Sequence, residues 1–431
     1  MERVVLQVAL DLPDLSRVIR IADESVKGGA DWVEAGTPLI KSEGMSALRE
    51  LKKRFQDKKI VADMKTFDVG AFEVEMASKA GADVVIIMGL ADELTIKDSI
   101  RAGAKYGTKI MVDLMGVSDK IKRAKEVEKW GADYICIHVG IDEQMVGVSP
   151  YEEVKKLVNE SMLPLAVAGG LNSENIPSII EAGASVIIVG GAITKAPDVK
   201  SATEKIKKAI EEKKSIKTEL YKKYSSEELY KAFSKVSSSN VSDAMHRKGA
   251  MVGVKAIIKN GRKIVGKAIT IKTIDGDWAK PVEAVDIAKK GDVIVIDAGS
   301  GQKAVWGELA SWSSKLKGIE GVIIDGAVRD VQDILKIDFP VFAKEIVPDA
   351  GEPKGYGEIG CEIVCFGQTV KNGDWIIGDE SGVVVVPKER AQEIANRALD
   401  VLEKENRIRE EIKRGSTLSK VLELYKWEKV G

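Results

Sequence analysis

Residues 81–89 read GADVVIIMG: a Gly-Ala-Asp step, an unbroken apolar run, and a glycine where the run stops. A β-rich run without polar alternation is what a parallel strand buried on both faces requires. The pattern recurs along the first half of the chain. VVLQVALD (4–11), DWVEAG (31–36), IVADMK (60–65), KIMVDLMG (109–116), YICIHVG (134–140), PLAVAGG (164–170) and SVIIVGG (185–191) complete a set of eight. Between them, stretches such as 13–30 and 118–132 place apolar residues at i, i+3 and i+4 and read as amphipathic helices. Gly-Ala-Asp closes three of them, at Gly29–Asp31, Gly81–Asp83 and Gly131–Asp133, with glycine suited to a left-handed helix end. Eight strand–helix units in residues 1–213 predict a closed (β/α)8 TIM barrel within an α/β protein. An open doubly wound sheet is the competitor, and the even spacing favours closure.

In such a barrel the strand ends converge on one rim, where the chemistry is kept. Asp11 ends the first run, Glu34 the second, Asp63 and Lys65 the third, and His138 the sixth, while Asp113 lies in the fifth. In a strand, residues two apart share a face, so Asp63 and Lys65 point the same way. Glu34 and Asp63, on adjacent strands, are placed to hold a hard divalent cation, Mg²⁺ or Mn²⁺, with waters and substrate oxygens. The bland alternative is an ion pair between Asp63 and Lys65. Gly169-Gly170 and Gly190-Gly191 end the last two runs and offer backbone N–H groups to a phosphate, or serve turns alone. In GGLNSEN (169–175), Asn172 or Ser173 reads as the N-cap of a following helix. His138, if not merely a satisfied core histidine, suits proton transfer. Cation, ammonium and imidazole together describe making or breaking a C–C bond beside a carbonyl.

The chain's 431 residues exceed one ordinary core, and 44% hydrophobic with 31% charged content fits a globular protein. A net charge of −1 gives no general attraction to nucleic acid. No apolar run approaches the ~18 residues of a membrane span. The opening MERVVLQVALDLPD reaches Asp11 without a small-residue cleavage site and reads as a strand, not a signal peptide. Cys136, Cys361 and Cys365 suit a reducing cytoplasm rather than a disulfide scaffold. With only His138 and His246, a Cys/His zinc site is not expected.

The first half resembles the 3-hexulose-6-phosphate synthases of the orotidine-5'-phosphate decarboxylase superfamily. ALD, VEAG, ADMKTFD, IHVGID, AVAGG and IVGGA carry the likeness, with the D-x-K-x-x-D signature on the third strand. It implies a Mg²⁺-dependent, reversible condensation of formaldehyde with ribulose 5-phosphate. It further implies that Glu34 and Asp63 ligate the metal, His138 moves a proton, Lys65 stabilises an enediolate and Asp11 contacts substrate. Asp68 would reach a site at a dimer interface. Cousins that decarboxylate 3-keto-L-gulonate 6-phosphate carry an Arg three residues after the histidine, where this chain has Ile141. That decarboxylase, with a non-catalytic second domain, is the alternative reading.

After Val199 the sequence becomes helical and heavily charged, and residues 214–224 read as a charged helical linker. Residues 225–431 form a second α/β domain of short strands with glycine turns, ending in a helix over 388–412 and a shorter tail. VIVIDAGSGQKA (293–304) imitates a nucleotide-binding glycine loop, but one motif without a βαβ series is weak. WGELASWSSKLKGIEGVIIDGAVRDVQDI (306–334) is the better signal. Arg329 suits a substrate carboxylate, Asp330 a divalent cation, and the backbone of Gly307, Glu308, Leu309 and Ala310 an oxyanion. A local Arg-Asp ion pair is the structural alternative.

With DFPVFA, TVKNGDW and GDESGVVVVP, these residues resemble the RraA-like group, a swivelling β/β/α fold that includes 4-hydroxy-4-methyl-2-oxoglutarate aldolases and ribonuclease E regulators. The likeness implies that Arg329 binds a pyruvate-type oxo acid, that Asp330 ligates Mg²⁺, and that Glu308, with Asp333 nearby, supports the site. It leaves open whether this domain is a lyase or a regulator. Relatives of the barrel are dimers and those of the second domain trimers or hexamers, which implies a homo-oligomer, in the limit a hexamer.

Overall fold

The computed structural model describes residues 3–259 and 261–424. The chain forms two compact units. One reaches Lys223 and resumes at Glu403; the other is Tyr224–Leu402.

In the first unit, strands β1 (Val5–Leu10), β2 (Trp32–Ala35), β3 (Lys59–Thr66) and β4 (Val84–Met88) are followed by β5 (Lys109–Asp113), β6 (Tyr134–His138), β7 (Leu165–Ala168) and β8 (Val186–Val189). They close into the expected barrel, with β8 pairing parallel to β1. One side-chain set fills the interior, including Ala9, Val61, Ile86, Met111, Cys136 and Ile188. The alternate set, including Val8, Ile60, Ala62, Ile87 and Val112, packs outward under the helices. Inward positions recur at every second residue, and this alternation places Glu34 and Asp63 on the inner face toward the ends of β2 and β3, and Asp113 and His138 last in β5 and β6. In register, Ala9 lies opposite Glu34, Asp63 opposite Ile86, Asp113 opposite Cys136, and His138 opposite Ala168.

The Gly-Ala-Asp repeat has a structural purpose. Its glycines take φ of +100°, +103° and +96°, which turns the chain out of each helix. The carboxylates of Asp31, Asp83 and Asp133 then accept the N–H of Leu6, Ile60 and Ile110 at 2.9, 2.7 and 2.9 Å. Each aspartate thereby clamps the start of the preceding strand, through a charge-assisted bond worth about 1.5 kcal/mol at a partly buried site.

Two expectations need correction. Residues 214–223 are not helical: the helix Val199–Glu212 stops at Lys213, whose φ is +51°. The backbone of this segment pairs instead with the loop after β7, where Ile216 N–H donates to Ser173 O at 2.9 Å and Thr218 N–H to Glu174 Oε1 at 2.8 Å. Tertiary partners have replaced the intrahelical ones. Residues 403–424, in the tail assigned by sequence to the second domain, pack with the barrel unit. There Arg17 grips Glu411 with two bonds of 2.9 and 3.2 Å, and the buried Arg407 adds a third at 3.0 Å.

The second unit is a mixed sheet. Its strands are β9 (Lys255–Ile257), β10 (Ile264–Lys272), β11 (Asp292–Asp297), β12 (Ala304–Trp306), β13 (Gly321–Val328) and β14 (Val341–Ile346), then β15 (Glu358–Ile359), β16 (Ile363–Cys365), β17 (Gln368–Val370), β18 (Trp375–Asp379) and β19 (Gly382–Val386). The order is β19-β18-β10-β11-β13-β14-β9, with β10, β11, β13 and β14 parallel and β12 alongside β13. β16 and β17 form a separate hairpin. The glycine-rich stretch 299–304 leads into β12, not into a helix as a nucleotide loop would. Among the described residues, no helix is long and apolar enough to cross a membrane.

Candidate active site

A cavity of about 630 Å³ opens at the C-terminal mouth of the barrel, lined by Asp11, Glu34, Asp63, Lys65, Asp113 and His138 together with both glycine pairs. Asp63 and Lys65 do face it together, though not through simple alternation. The β3–β4 register shifts between Asp63 and Thr66, and Lys65 adopts φ of +47°, a left-handed conformation unusual for a side-chain-bearing residue. The bulge aims the ammonium inward, where its Nζ lies 3.1 Å from Asp63 and 3.4 Å from Asp113. Backbone strain of this kind clusters at functional sites.

Burial opposes the charge on Lys65, but Asp63 and Asp113 outweigh it and hold the ammonium above its ordinary value. Asp113 Oδ2 also bonds His138 Nδ1 at 2.8 Å, while Met115 N–H donates to its Oδ1 at 2.9 Å. Against the penalty of burial, these contacts with His138 and Lys65 lower the Asp113 pKa. Glu34 is the opposite case. Desolvation first, then repulsion from Asp63 and Asp11, lifts its carboxyl well above 4.5, although Gln7 Nε2 donates to it at 2.6 Å. Asp11 lies within the cavity, reached by solvent through the mouth, and is raised by desolvation and by Asp63. Gly36 makes room for it, since a Cβ there would overlap the Asp11 carboxylate.

Carboxylates crowded into a shared cavity, where Asp63 helps to raise both Glu34 and Asp11, are a donor set of the kind a hard cation takes. Among the described residues, no three His, Cys, Asp or Glu side chains converge tightly enough to cage an ion alone. Glu34 and Asp63 therefore fit Mg²⁺, which takes one or two carboxylates and completes its shell with water and substrate oxygens.

Gly169 and Gly170 take φ of +105° and +69°, and a Cβ on Gly169 would overlap Val139 O, so only glycine turns the chain here. Asn172 does not cap a helix. Its side chain accepts from Glu174 and Asn175 N–H in a turn, and the helix Ile176–Glu181 starts only after Asn175. The backbone N–H groups of this loop thus belong to a glycine turn rather than to a helix end.

Asp68 does not join the cavity within this chain. It is exposed and accepts the N–H of its neighbour Val69 at 2.7 Å. Sequence reasoning missed four supporting residues. Asp113, seen in its strand but given no role, orients His138; Gln7 holds Glu34; Thr37 donates to Asp63 Oδ2 at 2.8 Å; and Tyr221 lines the cavity. Period-2 counting finds Asp113 and Gln7 as inward residues, whereas nothing local marks Tyr221.

The second unit has a cavity of about 270 Å³ between Gly307–Ala310 and Arg329–Asp330, walled by Trp278 and Trp306. Asp330 Oδ2 accepts the Glu308 N–H at 3.2 Å and pairs with Arg329 Nε at 3.3 Å. Asp330 takes φ of +60°, and Gly307 admits it closely, since a Cβ there would lie 2.6 Å from its oxygen. The local ion pair is present, and both side chains line the cavity. Asp333 does not; it pairs outside with Lys336 at 2.8 Å.

Barrel, rim carboxylates and glycine loops define the class. The chain belongs to the orotidine 5'-phosphate decarboxylase / HUMPS family, whose model matches residues 5–206. An RraA-like model, described as Aldolase/RraA, matches residues 238–385. More particularly, the chain is similar to the 3-hexulose-6-phosphate synthase of Bacillus subtilis (strain 168), at 39% identity over 206 residues, 48% of this chain and 98% of the relative. An uncharacterized protein of Methanocaldococcus jannaschii is 45% identical over 174 residues, 40% of this chain and 84% of its own. A crystal structure of a 3-hexulose-6-phosphate synthase is 38% identical, covering 48% of this chain and 99% of that one, with a TM-score of 0.46.

Proposed function

We propose that the barrel is a 3-hexulose-6-phosphate synthase, condensing formaldehyde with ribulose 5-phosphate in a reversible aldol reaction. The observation that carries this reading is the convergence of Glu34, Asp63, Lys65 and His138 on one cavity that ends in two glycine loops. The glycine N–H groups take the phosphate and Asp11 accepts from substrate hydroxyls. His138, held at Nδ1 by Asp113, presents its other nitrogen to remove a proton from the carbon beside the ketose carbonyl. The ammonium of Lys65 faces the negative charge that then develops on oxygen. The carbanion carbon bonds to formaldehyde, and the formaldehyde oxygen takes up the returned proton. Glu34 and Asp63 would hold Mg²⁺, which when bound would supply Lewis acidity to the reaction. Ile141, lining the cavity just past His138, brings no cation there, which supports condensation over decarboxylation of a keto-gulonate.

For the second domain we propose a pyruvate-type oxo acid as ligand, its carboxylate on Arg329 and a Mg²⁺ on Asp330. Three free cysteines suit a reducing, cytoplasmic setting. Exposed Phe67, Val69 and Phe72 around Asp68 support association of barrels, as does the apolar face that such a surface exposes. The deciding assay incubates full-length protein with ribulose 5-phosphate, formaldehyde and Mg²⁺, with and without EDTA, beside Asp63→Asn and His138→Ala. Metal-dependent loss of formaldehyde, abolished in both variants, is expected. No consumption by wild type would sink the synthase reading.

A further inference from the structure

The segment joining the two units passes over the barrel mouth, and one of its side chains enters the cavity. Tyr221 is buried, and its ring lies where a Cβ on Gly191 would be. Its hydroxyl donates to Gln144 Oε1 at 3.2 Å, and the Gln144 side chain lies beside Gly170. The phenol thus bridges the two glycine loops, with its ring on the loop after β8 and its hydroxyl next to the loop after β7. It holds this place at φ of +55°, a conformation that bulky residues avoid unless their surroundings impose it.

The surroundings do impose it. Tyr221 N–H donates to Glu403 Oε1 at 2.5 Å, and Asn172 Nδ2 donates to Tyr221 O at 3.4 Å. Upstream, Ile216 and Thr218 are tied to Ser173 and Glu174 at 2.9 and 2.8 Å. These backbone anchors are residues of the loop after β7 and of the returning tail. Position 221 also lies beyond residue 206, where the match to the barrel family stops.

We propose that Tyr221 is a substrate-binding residue of the barrel: it roofs the phosphate end of the cavity and excludes water from the glycine N–H groups. The inference rests on the sugar-phosphate reading given above but concerns binding rather than turnover. A dry, walled pocket strengthens N–H contacts to an anion, so removing the ring weakens phosphate binding while leaving the rim chemistry in place.

The test measures binding of inorganic phosphate and of ribulose 5-phosphate to full-length wild type, Tyr221→Phe and Tyr221→Ala by calorimetry, with kcat and KM beside it. Expected is about tenfold weaker binding and a matching rise in KM for Tyr221→Ala, with kcat at saturation within about twofold. Tyr221→Phe, which keeps the ring, should stay within about threefold of wild type, and the KM for formaldehyde should not move. A common loss of kcat and melting temperature would instead mark a structural role and overturn the proposal. So would unchanged phosphate binding in Tyr221→Ala, or no binding to wild type. Wild type that binds phosphate through Tyr221 but consumes no formaldehyde leaves the inference standing and rejects the synthase reading alone.

Discussion

Asp113 Oδ2 lies 2.8 Å from His138 Nδ1, across adjacent strands of the barrel. A carboxylate in that position fixes which imidazole nitrogen faces the cavity, and its second contact, to Lys65 at 3.4 Å, links the imidazole to the ammonium. Asp113→Asn keeps the shape and removes the charge. Its kcat in the condensation assay should fall about 10²–10³-fold, the scale of positioned acid–base catalysis, with KM changed far less. The lowered Asp113 pKa also contributes stability that is present above the ordinary 3.8 and is lost as pH falls through the lowered value. The stability gap between wild type and variant, read by denaturant titration, should therefore shrink on acidification; a constant gap refutes the linkage.

Glu34 makes the opposite prediction. Its raised folded-state pKa means that, between 4.5 and that raised value, the folded chain binds a proton the unfolded chain has released. The stability this confers is full below 4.5 and declines as pH rises. Glu34→Gln cannot ionise, so the metal-free variant should melt higher than metal-free wild type at pH 7. Mg²⁺ should reverse the ranking. At a hundredfold excess over its Kd it adds about 2.7 kcal/mol to wild type and nothing comparable to the variant. Activity of the variant should drop at least about 10²-fold. Equal melting shifts with Mg²⁺ in both proteins would remove Glu34 from the metal site.

Gly169→Ala tests the turn after β7. With φ at +105° and Val139 O in the way, alanine should destabilise the barrel by about 1–3 kcal/mol. The displaced N–H groups should raise the KM for ribulose 5-phosphate more than tenfold, measured on the fraction that folds. An unchanged KM would assign the phosphate elsewhere.

In the second unit, Gly307→Ala separates space from backbone strain. The φ at this position is −157°, which any residue adopts, and the added Cβ meets side chains rather than backbone, the flexible end of Asp330 at 2.6 Å and Arg329 Cγ at 3.2 Å. Stability should change by less than about 1 kcal/mol, the scale of surface substitutions. Pyruvate binding in the presence of Mg²⁺, followed by calorimetry, should be lost with the displaced Asp330–Arg329 pair. Retained binding would disprove the oxo-acid site.

Apolar runs at even spacing and Gly-Ala-Asp steps were enough to lay out the barrel, because strand burial and helix termination are local properties of residue type. Period-2 alternation likewise put Glu34, Asp63 and His138 on one rim from sequence alone. Three features were out of its reach. The bulge that aims Lys65 inward depends on β4 pairing past two extra residues of β3. The linker, helical by its Lys and Glu content, is not helical because Ser173 and Glu174 offer its backbone better partners. Tyr221 reaches the cavity from 77 positions beyond its partner Gln144, a proximity created only when the closed barrel brings the β7 and β8 loops together. Composition and spacing thus determined which strands form and which side chains face inward; the closing of the ring decided which charges touch, since Coulomb and hydrogen-bond energies depend on separation in space and not along the chain.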